Sequence, residues 1–290
     1  VIAGDVPTHF YGKHPHQEVN LHADASQWEI YRPFVKRAWR VESPELFPEI
    51  LEKAFLLAES GQPGPVLIDV PMDIFSRPVE VARFERLRAN AKKLRKPSID
   101  EATAELIVRT LSEAKSPVLY VGGGIALAGA YAELRAFIDH MAIPVAHSLM
   151  GKGVVADDHP LVLGMTGFWG TKFINDKCLN ADWVLALGAR FKEADSSSWE
   201  PEYTFRFPPT KLIHIDIEPT EIGRNYPVEI GAVADVKQAL IALNKAAQKL
   251  YPKPRKNAAL EAEIAKYRAE FVASNKAMAT SDAFPMMPER

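Results

Sequence analysis

Val118-Leu119-Tyr120-Val121-Gly122-Gly123-Gly124-Ile125-Ala126-Leu127-Ala128-Gly129 is the stretch on which the fold turns. Four consecutive apolar residues are too few for a helix and fit a strand buried on both faces of a parallel sheet. Three glycines end the run, and a helix is expected over residues 128–141. Glycine at a strand-to-helix turn lets backbone N–H groups approach a phosphate, and the helix N-terminus that follows favours its charge. The same glycines also allow a helix to pack close on a strand, so the turn by itself names no ligand.

Working outward, strands and helices keep alternating. A helix is expected over 99–114, strands over 118–121 and 144–146, a helix over 172–179, strands over 183–187 and 211–217, and a helix over 236–250. This order predicts an α/β domain over residues 98–250 built on a doubly wound, Rossmann-like parallel sheet. Upstream, Leu46, Ile50, Leu51, Ala54, Phe55 and Leu57 recur at helical spacing between the start signal Ser43-Pro44 and the stop Gly61. Pro65 to Pro71 then reads as a buried strand and Val1 to Pro7 as the end of another, so residues 1–75 look like the C-terminal part of a second α/β domain that begins before Val1.

Residues 76–97 are rich in arginine and lysine with little apolar periodicity, which is linker composition. Beyond Leu250, Pro252-Lys253-Pro254 breaks the helix, and residues 251–290 read as a connector that includes a helix over 260–278 and ends abruptly at Phe284 to Arg290.

With 290 residues, 47% hydrophobic and 25% charged, the chain can bury a core and form more than one domain. Thirty-five basic against 37 acidic residues give no electrostatic reason to expect nucleic acid or a membrane surface as partner. There is neither an apolar run of roughly 20 residues nor a basic start followed by a long apolar segment. The single cysteine, Cys178, excludes an intramolecular disulfide and suits a reducing cytoplasm; its apolar neighbours predict a buried structural thiol. The expectation is a soluble cytoplasmic protein.

Two phosphate-binding patterns fail. A P-loop needs Lys and then Ser or Thr after its second glycine, but Gly124-x4-Gly129 is followed by Ala130-Tyr131. The dinucleotide fingerprint wants a carboxylate about 20 residues on, where this chain has Pro144. Other strand ends still point to a ligand: Leu187-Gly188-Ala189-Arg190-Phe191 places an arginine, and His214-Ile215-Asp216-Ile217-Glu218-Pro219 a carboxylate, just after buried strands. Ligands of doubly wound sheets bind beyond those ends; Arg190 suits a phosphate and Asp216 a ribose hydroxyl.

The ordered motifs Gly64-Pro65-Val66-Leu67-Ile68-Asp69-Val70-Pro71, Tyr120 to Gly124, Ser148-Leu149-Met150-Gly151-Lys152-Gly153, Leu163-Gly164-Met165, Gly188 to Phe191 and Ile213 to Gly223 resemble those of acetolactate synthase large subunits and their relatives. The resemblance covers nearly the whole chain. It implies a thiamine-diphosphate- and Mg²⁺-dependent carboligase or decarboxylase of 2-keto acids, assembled as a homodimer or homotetramer. Its three domains bind the cofactor's pyrimidine, a nucleotide and the cofactor's diphosphate in turn. This sequence would hold the end of the first, all of the second and the connector to the third. The Gly-Asp-Gly motif of the third is not in it, so this chain alone is expected to be inactive.

Matched position by position, the resemblance implies an FAD site lined by Gly122, Gly123, Gly124, Ser148, Leu149, Arg190, Asp216, Ile217, Asp235 and Val236, reached also by Arg32. It places Gln17 beside the reacting centre, with His16 where relatives carry phenylalanine. It implies no metal ligand in this chain. Three departures fall where the substrate channel is expected: Met72 stands for lysine after Pro71, Lys192-Glu193-Ala194 for Asp-Asp-Arg, and Phe168-Trp169 for Met-His. Two other readings fit the same residues: a 2-hydroxyacyl-CoA lyase or oxalyl-CoA decarboxylase relative holding ADP or CoA in place of FAD, and a noncatalytic nucleotide-binding module.

Overall fold

A computed structural model describes residues 1–19, 26–88, 95–288 and 290, without the side chains of 86–88. Part of the expected linker, 89–94, lies outside the described residues, as does Glu289. The chain divides into two compact units, Val1–Arg95 and Lys96–Arg290.

The first unit contains β1 (Ile2–Asp5), α1 (Gln27–Tyr31), β2 (Ala38–Arg40), α2 (Phe47–Glu59), β3 (Leu67–Pro71), α3 (Met72–Phe75) and α4 (Val81–Arg88). Its three strands are parallel in the order β1-β3-β2, and all five residues of β3 are buried, as the unbroken apolar run requires. Helix α2 begins later than the start signal suggested. Ser43 makes no side-chain cap, and Pro44–Leu46 form a 3₁₀ turn first. At the other end the Lys36 ammonium donates to the carbonyls of Leu57, Ser60 and Gln62 at 2.6, 2.7 and 3.0 Å, so a cation closes the negative end of the helix. Within the stretch read as linker, α4 is a helix whose Phe84 meets Phe47 edge to face at 6.4 Å. Mean helix propensity was obscured there by the arginines, which leave few apolar positions to reveal a period.

The second unit contains α5 (Glu101–Glu113), β4 (Pro117–Val121), α6 (Gly124–Ala128), α7 (Tyr131–Met141), β5 (Val145–His147), β6 (Val162–Met165), α8 (Lys172–Leu179), β7 (Trp183–Leu187), β8 (Lys211–Asp216), β9 (Ile230–Val233), α9 (Val236–Leu250) and α10 (Ala258–Ala279). Six parallel strands lie in the order β6-β5-β4-β7-β8-β9. The chain builds outward from β4 to one edge, returns, and builds outward from β7 to the other. This is the doubly wound arrangement that the alternation predicts, with its reversal between β4 and β7.

Side chains of the central strands alternate between two cores. Leu119, Val121, Leu185, Leu187, Ile213 and Ile215 face α5, α7 and α9. Val118, Tyr120, Val184, Ala186 and Leu212 face a second core that contains Ile174 and Cys178 of α8, Ile264 of α10, and the rings of Phe191 and Phe205. Burial on both faces explains why these strands lack a polar stripe.

Two edge strands were not foreseen. In β6, Gly164 sits at φ +128° with its missing side chain facing Ile174, and the pairing with β5 is irregular between Val145 and Ala146. In β9 every second residue is half-exposed and Gly231 interrupts the pattern. The expected helix over 128–141 begins later, as α7 at Tyr131, because Gly129 takes the left-handed conformation (φ +61°) that ends the separate short helix α6. No helix among the described residues is long and apolar enough to cross a membrane.

Candidate functional site

At the reversal point the loops after β4 and β7 touch backbone to backbone. Gly122 N–H donates to the Leu187 carbonyl and Gly124 N–H to the Gly188 carbonyl, both at 3.1 Å, while Ile125 N–H turns back to Gly122. A Cβ on Gly122 would strike the Gly188 carbonyl oxygen and lie 2.6 Å from Ala189 Cα; one on Gly124 would lie 2.7 Å from Gly188 Cα. The fold therefore demands glycine at 122 and 124, and their N–H groups are already bonded. Gly123 differs: a Cβ there would meet Met150, at 3.1 Å from its Cβ. The glycine run thus packs the loop, and a ligand at this edge would lie outside that contact.

Arg190 follows β7 and Asp216 ends β8, on the other side of the reversal. Arg190 is exposed and has no hydrogen bond or ion pair among the described residues. Asp216 is 7% exposed, and its Oδ1 accepts the Glu218 N–H at 2.9 Å. Burial raises its pKa above the ordinary carboxylate value, opposed by the N–H groups of Glu218 and Ile217 and by the charge of Arg190. A surface pairing of Arg190 with Asp195 does not form: Asp195 is buried, and its Oδ1 accepts the Leu149 N–H at 2.9 Å.

Asp195 is the organising residue that sequence patterning did not single out. Its carboxylate holds the loop after β5 through Leu149, and its carbonyl accepts the Thr166 hydroxyl, at 2.9 Å, from the loop after β6. Next to it Gly167 (φ +83°) abuts the backbone of Ala194 and Asp195, and Asn175 grips Gly167 through both its amide groups, each at 3.0 Å. Three loops are thereby locked along one edge of the sheet. They present Leu149, Met150, Phe168 and Trp169 as exposed apolar side chains.

The remaining candidates divide by what their side chains do. Ser148 is buried and its Oγ accepts the Gly151 N–H at 3.1 Å, a local cap. Asp235 caps α9 by accepting the N–H groups of Lys237 and Gln238, and its second oxygen is 2.8 Å from the Lys96 ammonium. Val236 belongs to the core, while Ile217 is half-buried. Two buried histidines flank this edge. Burial depresses both His147, whose Nδ1 lies 2.9 Å from the Ser148 carbonyl, and His214, whose Nε2 lies 2.9 Å from the Ala189 carbonyl.

In the first unit His16 and Gln17 are exposed, and Gln17 takes the left-handed conformation at φ +69°. Glu18 shapes this turn by accepting the N–H groups of Gly12 and His14 at 2.5 and 2.9 Å. Arg32 is exposed, 3.4 Å from Glu29 and stacked over Trp28 at 4.9 Å. Two concavities, a groove between α7 and α9 and a cavity under Phe47, Phe75 and Phe84, touch none of these residues.

Residues 104–243, which span this sheet and its edge loops, match the family described as "Thiamine pyrophosphate enzyme, central domain". This segment belongs to the thiamine-diphosphate-dependent enzyme family. It is similar to the acetolactate synthase of Arthrospira platensis, 37% identical over 247 residues, which is 82% of this chain and 40% of that one. The probable acetolactate synthase large subunit of Methanocaldococcus jannaschii is 34% identical over 82% of this chain and 39% of its own length. The chloroplastic acetolactate synthase of Arabidopsis thaliana is 38% identical over 84% and 35% respectively. The chain spans less than half the length of each of these members of the thiamine-diphosphate family. A solved benzoylformate decarboxylase of Polynucleobacter necessarius shares its fold, with a TM-score of 0.67 at 20% identity over 88% of this chain and 45% of that one.

Proposed function

We propose that the second unit holds the adenine nucleotide part of FAD along the carboxyl edge of its sheet. The whole protein is, in this reading, an acetolactate synthase-like carboligase or decarboxylase of 2-keto acids. The observation that carries the nucleotide reading is Arg190: a guanidinium without a partner among the described residues, at the reversal point of a doubly wound sheet, near Asp216, whose carboxyl burial pushes above the ordinary value. A planar guanidinium makes paired, charge-assisted bonds to a diphosphate. Asp216, with one oxygen still uncommitted in the hydrogen bonds described, suits a ribose hydroxyl. The chemistry of the site fits the group in those two respects. Asp235 and Ser148 are spent on caps, and we assign them the shaping of the loops rather than contact with the nucleotide.

In the same reading the chain comprises the end of a pyrimidine-binding domain (1–75), a linker (76–97), the nucleotide domain (98–250) and a connector (251–290). Thiamine diphosphate with Mg²⁺, when bound by the whole enzyme, would supply carbanion chemistry toward a donor's keto carbon. Gln17, exposed on a tight turn, orients the donor or its product by hydrogen bonding. The assembly is a homodimer or homotetramer, in the cytoplasm.

The exposed Leu149, Met150, Phe168 and Trp169 form an apolar rim suited to a flat ring or an apolar substrate side chain. Competition separates the nucleotides. FAD fluorescence should be quenched on adding the chain and recovered with ADP. If coenzyme A displaces FAD while ADP does not, or if FAD fails to bind, the flavin assignment is wrong.

A further inference from the structure

The Arg190 side chain is exposed, yet the backbone on both sides of it is held by other side chains of the second unit. On its N-terminal side the Ala189 carbonyl lies 2.9 Å from Nε2 of His214, in β8. On its C-terminal side the Phe191 carbonyl accepts two hydrogen bonds, from the Trp199 indole N–H at 2.8 Å and from the Asn225 side-chain amide at 3.0 Å. The Phe191 ring is buried among the rings of Tyr120, Phe205, Phe207, His214 and Tyr226, with centroids 4.8 to 6.1 Å away.

This arrangement is built from an uncommon backbone. Phe191 takes the left-handed region at φ +48°, and so do the consecutive residues Ser197, Ser198 and Trp199, at +51°, +56° and +60°. Residues with a side chain seldom enter that region, and a run of three is rarer, because each brings its Cβ close to the following carbonyl oxygen. The surroundings hold the run in place. Ser197 Oγ lies 2.8 Å from Thr204 Oγ1 in a buried contact, and the Ser198 N–H donates to the Glu193 carbonyl at 2.9 Å. The turn brings the Trp199 indole back to Phe191. Backbone strain kept by its surroundings points to a functional demand on what it positions. Here that is the peptide beside Arg190.

We propose that Trp199, Asn225 and His214 are positioning residues, which fix the backbone on either side of Arg190 so that its guanidinium meets a nucleotide diphosphate already oriented. A side chain carried on a fixed backbone has less freedom to lose on binding, so its bonds contribute more to affinity. What Arg190 meets rests on the nucleotide reading given above; how it is held does not.

Two measurements on the full 290-residue chain test this. The first needs no ligand: ¹⁵N relaxation of the Arg190 and Phe191 backbone amides in the nucleotide-free protein. Trp199→Phe removes the N–H and keeps an aromatic ring, while Asn225→Ala removes the other donor from an exposed position, so either variant serves if the other does not fold. Both amides should be as rigid as those of β7 in the wild type and more mobile in the variants on the picosecond-to-nanosecond timescale. Unchanged rigidity in the variants overturns the positioning role.

The second is calorimetric titration of ADP in a double-mutant cycle with Arg190→Ala. Trp199→Phe and Asn225→Ala should each weaken ADP binding by about three- to tenfold, the range of a neutral hydrogen bond. Neither should add to the loss once Arg190 is alanine. An equal loss in both backgrounds means that these side chains only support the fold, and overturns the inference. His214→Ala should also weaken ADP, and His214→Gln, which can still donate to the Ala189 carbonyl, should recover the affinity. Absence of ADP binding in the wild type overturns the nucleotide reading, while the relaxation result still decides how Arg190 is held, so the two proposals fall separately.

Discussion

Gly124 and Gly188 lie in mutual contact where the sheet reverses: a Cβ on the first would be 2.7 Å from the Cα of the second, and a Cβ on the second 2.8 Å from the Cα of the first. Gly188 is also at φ +55°, a conformation that L side chains rarely adopt. The contact involves backbone on both sides, so no rotamer change can relieve an added methyl group.

Gly124→Ala and Gly188→Ala should each therefore destabilise the chain in the absence of any ligand, by about 1–3 kcal/mol, as expected for overpacking. Urea unfolding of the nucleotide-free protein measures this. Wild-type stability with weakened nucleotide binding would instead assign these glycines to the ligand alone.

The reversal point itself was legible because β4 and β7 are unbroken apolar runs followed at once by glycine, a pattern that specifies both burial and a turn. Trp183–Leu187 and Val236–Leu250 fall where the sequence places them for the same reason: each has sharp boundaries, the second through the Asp235 cap. Edge strands β6 and β9 escape because they are four residues long and contain glycine, so neither length nor alternation marks them. Arg190 and Asp216 could be read as strand-end residues. What Ser148 and Asp235 do could not, since a cap and a ligand contact use the same residue types and only hydrogen-bond partners tell them apart. Asp195 was hidden for a related reason: among Lys192, Glu193 and three serines it looks like surface, and only the fold brings Leu149 and Thr166 to it.

Acid should weaken the second unit through its buried histidines. His214 and His147 have pKa values lowered from 6.5, chiefly by burial, so the unfolded chain takes up protons first as pH falls. Their contribution is present above that value and is lost as pH drops through it. Asp69 in the first unit works in the opposite direction, its contribution being lost as pH rises toward about 7. His214→Gln keeps an amide donor for the Ala189 carbonyl and removes the titration. Urea midpoints of the second unit should fall between about pH 8 and about pH 5, less steeply in the variant. An unchanged slope would show that His214 does not stay neutral in the folded state.

Helix α10 should be an integral part of the second unit's stability. Arg268 donates to the carbonyls of Asp158 and His159, at 3.3 and 2.8 Å, and to that of Val162 at 2.5 Å, while Tyr267 stacks on Phe173 with centroids 4.1 Å apart. Arg268→Ala removes charged hydrogen bonds and should cost about 1–3 kcal/mol. Faster amide exchange in α10 and at Val162 would accompany it. Exchange in the variant matching wild type would mean that the helix is held by its apolar contacts alone.

The claim on which the account depends is that a nucleotide diphosphate lies against Arg190. Calorimetric titration of FAD and of ADP into the full chain and its Arg190→Ala and Arg190→Lys variants tests it most directly. Loss of a charged, paired hydrogen bond predicts weakening by about 1.5–3 kcal/mol in the alanine variant, roughly one to two decades in Kd, for both nucleotides. Lysine, a point charge without the fork, should recover part of that loss. Equal affinities in wild type and Arg190→Ala would contradict the placement, and absence of heat with either nucleotide in the wild-type chain would contradict the nucleotide site itself.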